Sequence, residues 1–486
     1  MQHKYRQINK IIFVRFPKTV YKNHHPVEAV WPFSIGISAT ILRELEFSVR
    51  IIDFQIGEYD SIEYIIKDIV SEDVDVLFIQ YDTISVCQSS NFSCRIKAIN
   101  KEITIIGFGQ HASFLPREVI EKHGADICIM TDLEFVVREL ICALKNNTLT
   151  DVKNIAYRNN EKVIIENRSI LNYNLDSLPF IDLSLLDIVK YKRKKFPKPI
   201  FWGRNWGFIR TSLGCPYHCV FCSPLLRHSI DKTYRLHSID YVIRQIRYYK
   251  DRFGVVTFSM EDDIFSVNED RTKYLCDALA TLKIKWVVDG ARVDTLSEVL
   301  LRRMKKAGCY GVGVGIESGS QSVLDGLGKR QLKNNIKECA LNIKRMGMLL
   351  VGYIMIGVPN ETEKDLKDTI QFADEIRPHI LYVHYFMPYP GSEAYKMYKD
   401  KINITHMTHY GYCGVNFSNI EESVLRKCMK NLYRHYYISF KYVKEYIRGR
   451  LRYAIFDLNE LTLIKDAFTF IIRKRSADEI KNEATQ

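Results

Sequence analysis

The chain has 486 residues, 47% of them hydrophobic and 26% charged, the balance of a globular protein with room for two or three domains. No apolar run reaches the roughly 18–20 residues of a membrane span, and the N-terminal "MQHKYRQINKIIFVRFP" has no small-residue cleavage site, so a cytoplasmic protein is expected. The net charge of +13 favours anionic partners or simply a solvated basic surface, but the densest basic runs (191–198 and 470–476) lack the interleaved aromatics of a nucleic-acid module, which makes nucleic acid an unlikely partner.

Residues 1–150 alternate apolar, strand-like runs with stretches of helical periodicity, the pattern of a doubly wound α/β domain with a parallel sheet. Strands are expected at 10–17, 48–55, 74–82, 103–109 and 125–130, with helices at 34–47, 61–72 and 116–124. Five strands in this order suggest a flavodoxin-like sheet, which binds ligands at the carboxyl ends of its strands. Those ends carry Tyr81, Asp82 and Thr83, then "GFGQHAS" with Gly107, Gly109 and His111, then Thr131 in "TDLE". The two glycines either let a ligand approach the backbone or only make a tight turn.

Residues 151–200 read as a connector containing a hairpin around Asn159–Asn160 and a basic, proline-containing stretch. Over 201–400 the alternation resumes, with strands expected at 207–212, 255–262, 285–291, 311–317, 349–357 and 380–386. Six β/α units in sequence suggest a partial parallel barrel, whose chemistry belongs at the carboxyl ends of its strands. Residues 401–486 read as a helical C-terminal region ending in a polar, frayed tail.

Twelve cysteines are present, and three of them, Cys215, Cys219 and Cys222, fall in "GCPYHCVFCS" just after the first strand of the second domain. A disulfide framework is not expected in a cytoplasmic chain. Cys128 and Cys142, in apolar stretches, are expected to be buried small hydrophobes. Three thiolates in one loop suit an iron–sulfur cluster with one iron left open for a ligand. A Cys3His zinc site completed by His218 or His228 is the competing reading.

The segment "TSLGCPYHCVFCS" resembles the C-x3-C-x2-C signature of the radical SAM enzymes, with Phe221 as the aromatic before the third cysteine. The blocks at 258–271, 290–329, 352–373 and 387–395 resemble, in order, the later units of the branch of that superfamily that carries an N-terminal cobalamin-binding domain. In the first domain, 31–55 and 107–134 are similar to that domain's opening and G-G-x-H-A-T blocks. Phe108 replaces a glycine of the usual pair, "TDLE" replaces the usual G-E-G-E, and no D-x-H-x-x-G is present to supply a histidine to cobalt.

The resemblance implies that Cys215, Cys219 and Cys222 ligate a [4Fe–4S] cluster whose open iron chelates S-adenosyl-L-methionine (SAM). It implies SAM contacts from Phe221 and Gly357 near adenine, from Glu261, Asp262 or Asp263 to the ammonium, from Arg292 to the carboxylate, and from Glu317 and Ser318 to the ribose or carboxylate. Cobalamin would bind along Tyr81–Thr83, Gly107, Gly109, His111 and Thr131, with His111 part of the loop and not a cobalt ligand. Tyr353, His384 and Tyr385 are candidates to face substrate. The implied activity is methylation of an unactivated carbon of a small molecule or a natural-product or lipid precursor, through a 5′-deoxyadenosyl radical and methylcobalamin. It would require a reducing partner such as flavodoxin or ferredoxin. A radical SAM oxidase or cyclase of the same branch is the first alternative. A tRNA methylthiotransferase is a weaker one, because the first domain has no second cysteine triplet and the C-terminus reads helical. A non-catalytic sensor is a third, disfavoured by the intact cluster motif.

Overall fold

The computed structural model describes residues 8–17, 30–56, 61–166, 169, 174–193, 205–222, 234–402 and 414–437. His228, the basic run at 470–476 and most of the C-terminal region lie outside them.

The first sheet is built from short apolar runs whose two faces are both covered, as a parallel sheet requires. Its strands are β1 (Lys10–Arg15), β2 (Ser48–Asp53), β3 (Val76–Gln80), β4 (Thr104–Phe108) and β5 (Ile127–Ile129), joined in the order β2-β1-β3-β4-β5 with all pairings parallel. This is the doubly wound order expected, with its switch point between β1 and β3. Helices α1 (Phe33–Glu44), α2 (Ile62–Ser71), α3 (Val86–Ile99), α4 (Gln110–Phe114), α5 (Pro116–Lys122) and α6 (Val137–Asn146) lie between and after these strands. The hairpin read into the connector, β6 (Ile155–Asn159) and β7 (Lys162–Ile165), does form, but it joins this sheet antiparallel beside β5. Cys128 is buried as expected, whereas Cys142 falls on the outward face of α6 and is exposed.

The second sheet joins six parallel strands: β8 (Trp206–Ile209), β11 (Thr257–Met260), β12 (Lys285–Ala291), β13 (Cys309–Glu317), β14 (Leu349–Ile356) and β15 (Ile380–Tyr385). They follow one another in chain order, an open barrel. A two-residue pairing of β9 (Ser212–Leu213) with β10 (Arg235–Leu236) flanks it. Helix α7 (Ile188–Arg193) precedes this sheet; the crossover helices are α8 (Ile239–Phe253), α9 (Glu269–Thr281), α10 (Glu298–Lys306), α11 (Gln321–Gly326), α12 (Lys333–Arg345) and α13 (Glu363–Ile376), and α14 (Glu393–Tyr398) and α15 (Glu422–Tyr437) follow. Local sequence sets their starts: Ser238, Asn268, Ser297, Thr362 and Ser392 each accept a backbone N–H from the first turn.

One apolar core runs under both sheets. Trp31 stands edge-on to Phe208 of β8 and Tyr249 of α8, with ring centres 5.5 and 5.2 Å apart. Among the described residues no helix is long and apolar enough to cross a membrane.

Candidate functional site

The cysteine loop leaves β9 at Gly214, which has a φ of +100° that glycine adopts without strain. Gly214 N–H donates to Asp263 Oδ2 at 2.8 Å, which ties the loop to the end of β11. Val220 N–H donates to the Leu327 carbonyl, and the Val220 carbonyl accepts from Ala394 N–H at the start of α14, both at 3.0 Å. The loop is therefore pinned from three elements.

The three thiols converge. Cys222 is exposed along one side, yet crowding by the surrounding chain pushes its thiol up to about 12, with further increments from Cys219, Cys215 and Glu317. Burial raises Cys219 as well, while Lys329 and Arg292 act in the opposite sense. Arg292 Nη1 lies 3.6 Å from Cys219 Sγ. Three mutually repelling thiols beside two cations suit a cationic metal cluster that takes all three as thiolates. His218, the other imidazole considered for zinc, is exposed.

Arg292 is buried behind the loop. It donates to both Asp294 oxygens and to the Lys329 carbonyl, and its guanidinium centre sits 3.7 Å from the centre of the Tyr217 ring. Lys329, which the sequence reading did not single out, forms a buried ion pair with Glu317 and donates to the Gly315 carbonyl at 2.8 Å. Glu317 ends β13 at a register shift with a left-handed φ of 59°. Such strain at a strand end is typical of a built site. A Cβ at Gly315 would meet the Glu317 carboxylate and the Lys329 ammonium, so a side chain there would displace this ion pair.

The three acids after β11 divide by face. Ser259 donates to Glu261 Oε1 at 2.5 Å, so Glu261 shares the inner face with Ser259. Asp262 turns the other way, is buried, and accepts from Thr211 N–H, Thr211 Oγ1 and Ser212 Oγ. Asp263 holds the cysteine loop. Glu261 is thus the carboxylate of the three without a structural assignment of that kind. Ser318 is fully buried and bonds Thr369 Oγ1 and Ser320 N–H, which makes it a turn former. Phe221 packs partly buried against the cluster that includes Val323, Met355 and Val358, and Gly357, which precedes Val358, has a φ of +72°.

Strand alternation places Tyr353, Tyr382 and His384 on the inner face of β14 and β15, where their rings stack. Tyr353 donates to Asp289 of β12 at 2.5 Å. Asp289 and Tyr382 were missed from the sequence, although an acid inside the apolar run "KWVVDGA" was a visible signal. Tyr385 falls on the opposite face and lines a small cleft with Gly357, Phe386, Val415, Asn416, Glu422 and Leu425.

In the first domain the expected edge is present. Gly109 has a φ of +99°, and a Cβ there would meet Asp82 and the Tyr81 carbonyl at 3.0 Å. Asp82 accepts from Gln110 N–H, and Thr131 lies buried at the end of β5. Glu134 is buried nearby with Oε2 unpartnered, a polar edge that suits a large polar cofactor. The Tyr81 ring turns away into the core, where its hydroxyl meets Ser93 and the His123 carbonyl, and it passes close over Gly107, where a Cβ would stand 3.2 Å from the ring. The His111 ring is also turned inward, toward Thr83.

The carboxyl ends of the two sheets meet. Arg210, just past β8, lies over Phe33 at 4.4 Å and beside the buried Glu134, and Arg235 lies over Phe135 at 5.3 Å. Gln110 Nε2 donates to the Pro390 carbonyl at 3.3 Å.

Comparison with known proteins agrees with this arrangement. Residues 209–373 match the radical SAM superfamily model and residues 27–141 match the B12-binding domain model. The chain is 29% identical to an uncharacterised methyltransferase of Pyrococcus horikoshii over 369 residues, 75% of this chain and 78% of the relative. Its fold is similar to that of OxsB, a cobalamin-dependent SAM radical enzyme solved with aqua-cobalamin (TM-score 0.69, 17% identity, 99% of this chain and 72% of that one). It is likewise similar to TsrM of Kitasatospora setae, a radical SAM methyltransferase solved with cobalamin and a [4Fe–4S] cluster (TM-score 0.65, 14% identity, 81% and 75%). The cofactors that go with the two matched domains are a [4Fe–4S] cluster, SAM and cobalamin. The protein is an enzyme that carries a B12-binding domain, residues 27–141, ahead of a radical SAM domain, residues 209–373.

Proposed function

We propose that this enzyme transfers a methyl group from SAM to an unactivated carbon of a small molecule. The meeting of the two carboxyl edges carries the reading: Arg210 and Arg235 dock the cysteine-bearing end of the barrel against the switch-point end of the first domain. Chemistry that needs both cofactors at one substrate requires that juxtaposition. When bound, the cluster, SAM and cobalamin supply hydrogen abstraction and a transferable methyl group.

The chain's own residues supply binding and positioning. Cys215, Cys219 and Cys222 would hold the cluster, with Arg292 and Lys329 favouring the thiolate form. Glu261 would take the SAM ammonium, a charge-assisted contact. Phe221 and Gly357 would border adenine, and Glu317, braced by Lys329, would face the ribose. The domain boundaries near 200 and 400, with the first domain extended through its hairpin at 155–165, and the cobalamin contacts along Asp82, Thr83, Gly109 and Thr131 belong to the same proposal. The stacked Tyr353, Tyr382 and His384, with Asp289 beside them, would receive a flat substrate bearing a hydrogen-bond donor. An electron donor such as flavodoxin or ferredoxin would reduce the cluster.

The test is anaerobic turnover of the reconstituted protein with SAM carrying a deuterated methyl group and a panel of small-molecule acceptors. Methyl transfer predicts S-adenosylhomocysteine and 5′-deoxyadenosine in matched amounts, with the label in product. Deoxyadenosine formed with product but without S-adenosylhomocysteine would replace this reading by an oxidase or cyclase.

A further inference from the structure

Away from the cysteine loop, the first domain gathers a second set of metal-type donors. His111 of α4, Glu118 of α5 and His123 just past α5 bring one ligand atom each to within 4.8 Å of one another. Glu118 Oε1 stands 4.0 Å from His111 Nε2 and 3.5 Å from His123 Nε2. Each ring is oriented through its other nitrogen. His111 Nδ1 lies 3.3 Å from Thr83 Oγ1, and His123 Nδ1 lies 3.0 Å from Ser90 Oγ. Metal-binding histidines are oriented in the same way, by an outer partner on the second nitrogen.

The two inward-facing nitrogens are the anomaly. His111 Nε2 and His123 Nε2 are both buried and have no hydrogen-bond partner. Leaving such an atom unsatisfied is costly, and here two occur across one carboxylate. A long hydrogen bond to Glu118 at 3.5 Å would serve His123 Nε2 at best, and it leaves His111 Nε2 unsatisfied, because 4.0 Å is too long for a hydrogen bond. The His111 ring is fully buried. In the tautomer whose Nδ1–H donates to Thr83 Oγ1, the neutral ring presents its Nε2 lone pair, the form that binds a metal ion.

We propose that His111, Glu118 and His123 form a site for a divalent transition-metal ion, with zinc the ion its donors suit. Two imidazoles and a carboxylate are a zinc ligand set, and three protein ligands leave a fourth position for water. The Glu118 side chain is 30% exposed, which leaves a route from solvent. The ion would tie α4, α5 and, through Thr83, the switch-point loop into one unit. Gln110, at the start of α4, donates to the Pro390 carbonyl of the barrel at 3.3 Å. The site therefore stiffens the first domain where it meets the barrel. It is independent of the reaction proposed above.

The full-length protein, with its cluster reconstituted so that the cysteine loop is occupied, is dialysed against Zn(II), washed, and analysed for zinc. X-ray absorption at the zinc edge is recorded on the same sample. About one zinc per chain is expected, with a nitrogen/oxygen first shell. His123→Ala and Glu118→Gln should each weaken retention, and Ser90→Ala should weaken it by about tenfold or more as an outer-partner variant. Zinc absent from the washed wild type, a sulfur-dominated shell, or full zinc in both ligand variants would overturn the proposal. If a ligand variant does not fold, the wild-type zinc content and spectrum decide alone.

Discussion

At the scale of the residue, the chain separates groups that look alike in sequence. Three consecutive acids end β11, but only Glu261 shares the inner face with Ser259, while Asp262 and Asp263 hold the polypeptide. Glu261→Gln should therefore weaken SAM binding by about tenfold, the loss of one charge-assisted contact, read by equilibrium dialysis on the reconstituted protein. Asp262→Asn should instead lower the melting temperature. Glu361 sits just past Gly357 and accepts from the Gly357 and Val358 amides at 2.6 and 3.2 Å. Burial nevertheless raises its carboxyl to about 7. A raised acid stabilises the fold fully below its ordinary value near 4.5, and that stability is lost as pH rises through about 7. Glu361→Gln should then melt above wild type at pH 8, and the gap should close by pH 5. A gap that does not change with pH would show that the carboxyl stays ionised throughout.

At the scale of the element, one turn decides how the barrel meets the first domain. Gly391, between β15 and α14, has a φ of +93°, and a Cβ there would lie 2.4–2.6 Å from the ring of Phe114 at the end of α4. Gly391→Ala should cost about 2–4 kcal/mol from backbone strain and overpacking together. Phe114→Leu in the same chain should recover the packing part and not the strain, a partial rescue visible in urea unfolding. The proline-glycine block was readable as a motif, and so was the φ preference of glycine. Its collision partner is 277 positions away in sequence (391 − 114 = 277) and no local pattern points to it. The connector hairpin shows the same limit. Its turn at Asn159–Asn160 was evident, but the strand that receives it, β5, was set by a free sheet edge.

At the scale of the whole molecule, the two sheets share a core, with Trp31 at the seam. Trp31→Ala removes a nearly fully buried ring and should cost about 3–5 kcal/mol. Calorimetry should show one joint transition in the wild type and two separated transitions in the variant. Two transitions already present in the wild type would mean that the shared core does not couple the domains.

The order of apolar periods, the cysteine spacing and the blocks around it were enough to read two α/β units and the two kinds of domain they form. These are local properties, since a strand or a ligand loop is specified by neighbours in sequence. Tertiary structure alone decided which of Glu261, Asp262 and Asp263 faces the site, that Tyr385 leaves the inner face while Asp289 and Tyr382 join it, and that Lys329 braces Glu317. It also decided that His111 turns from the switch-point edge toward Glu118 and His123. The physical reason is common to all of these. A side chain's role depends on which face its strand buries and on what distant element fills the space opposite, and both are settled only when the elements pack.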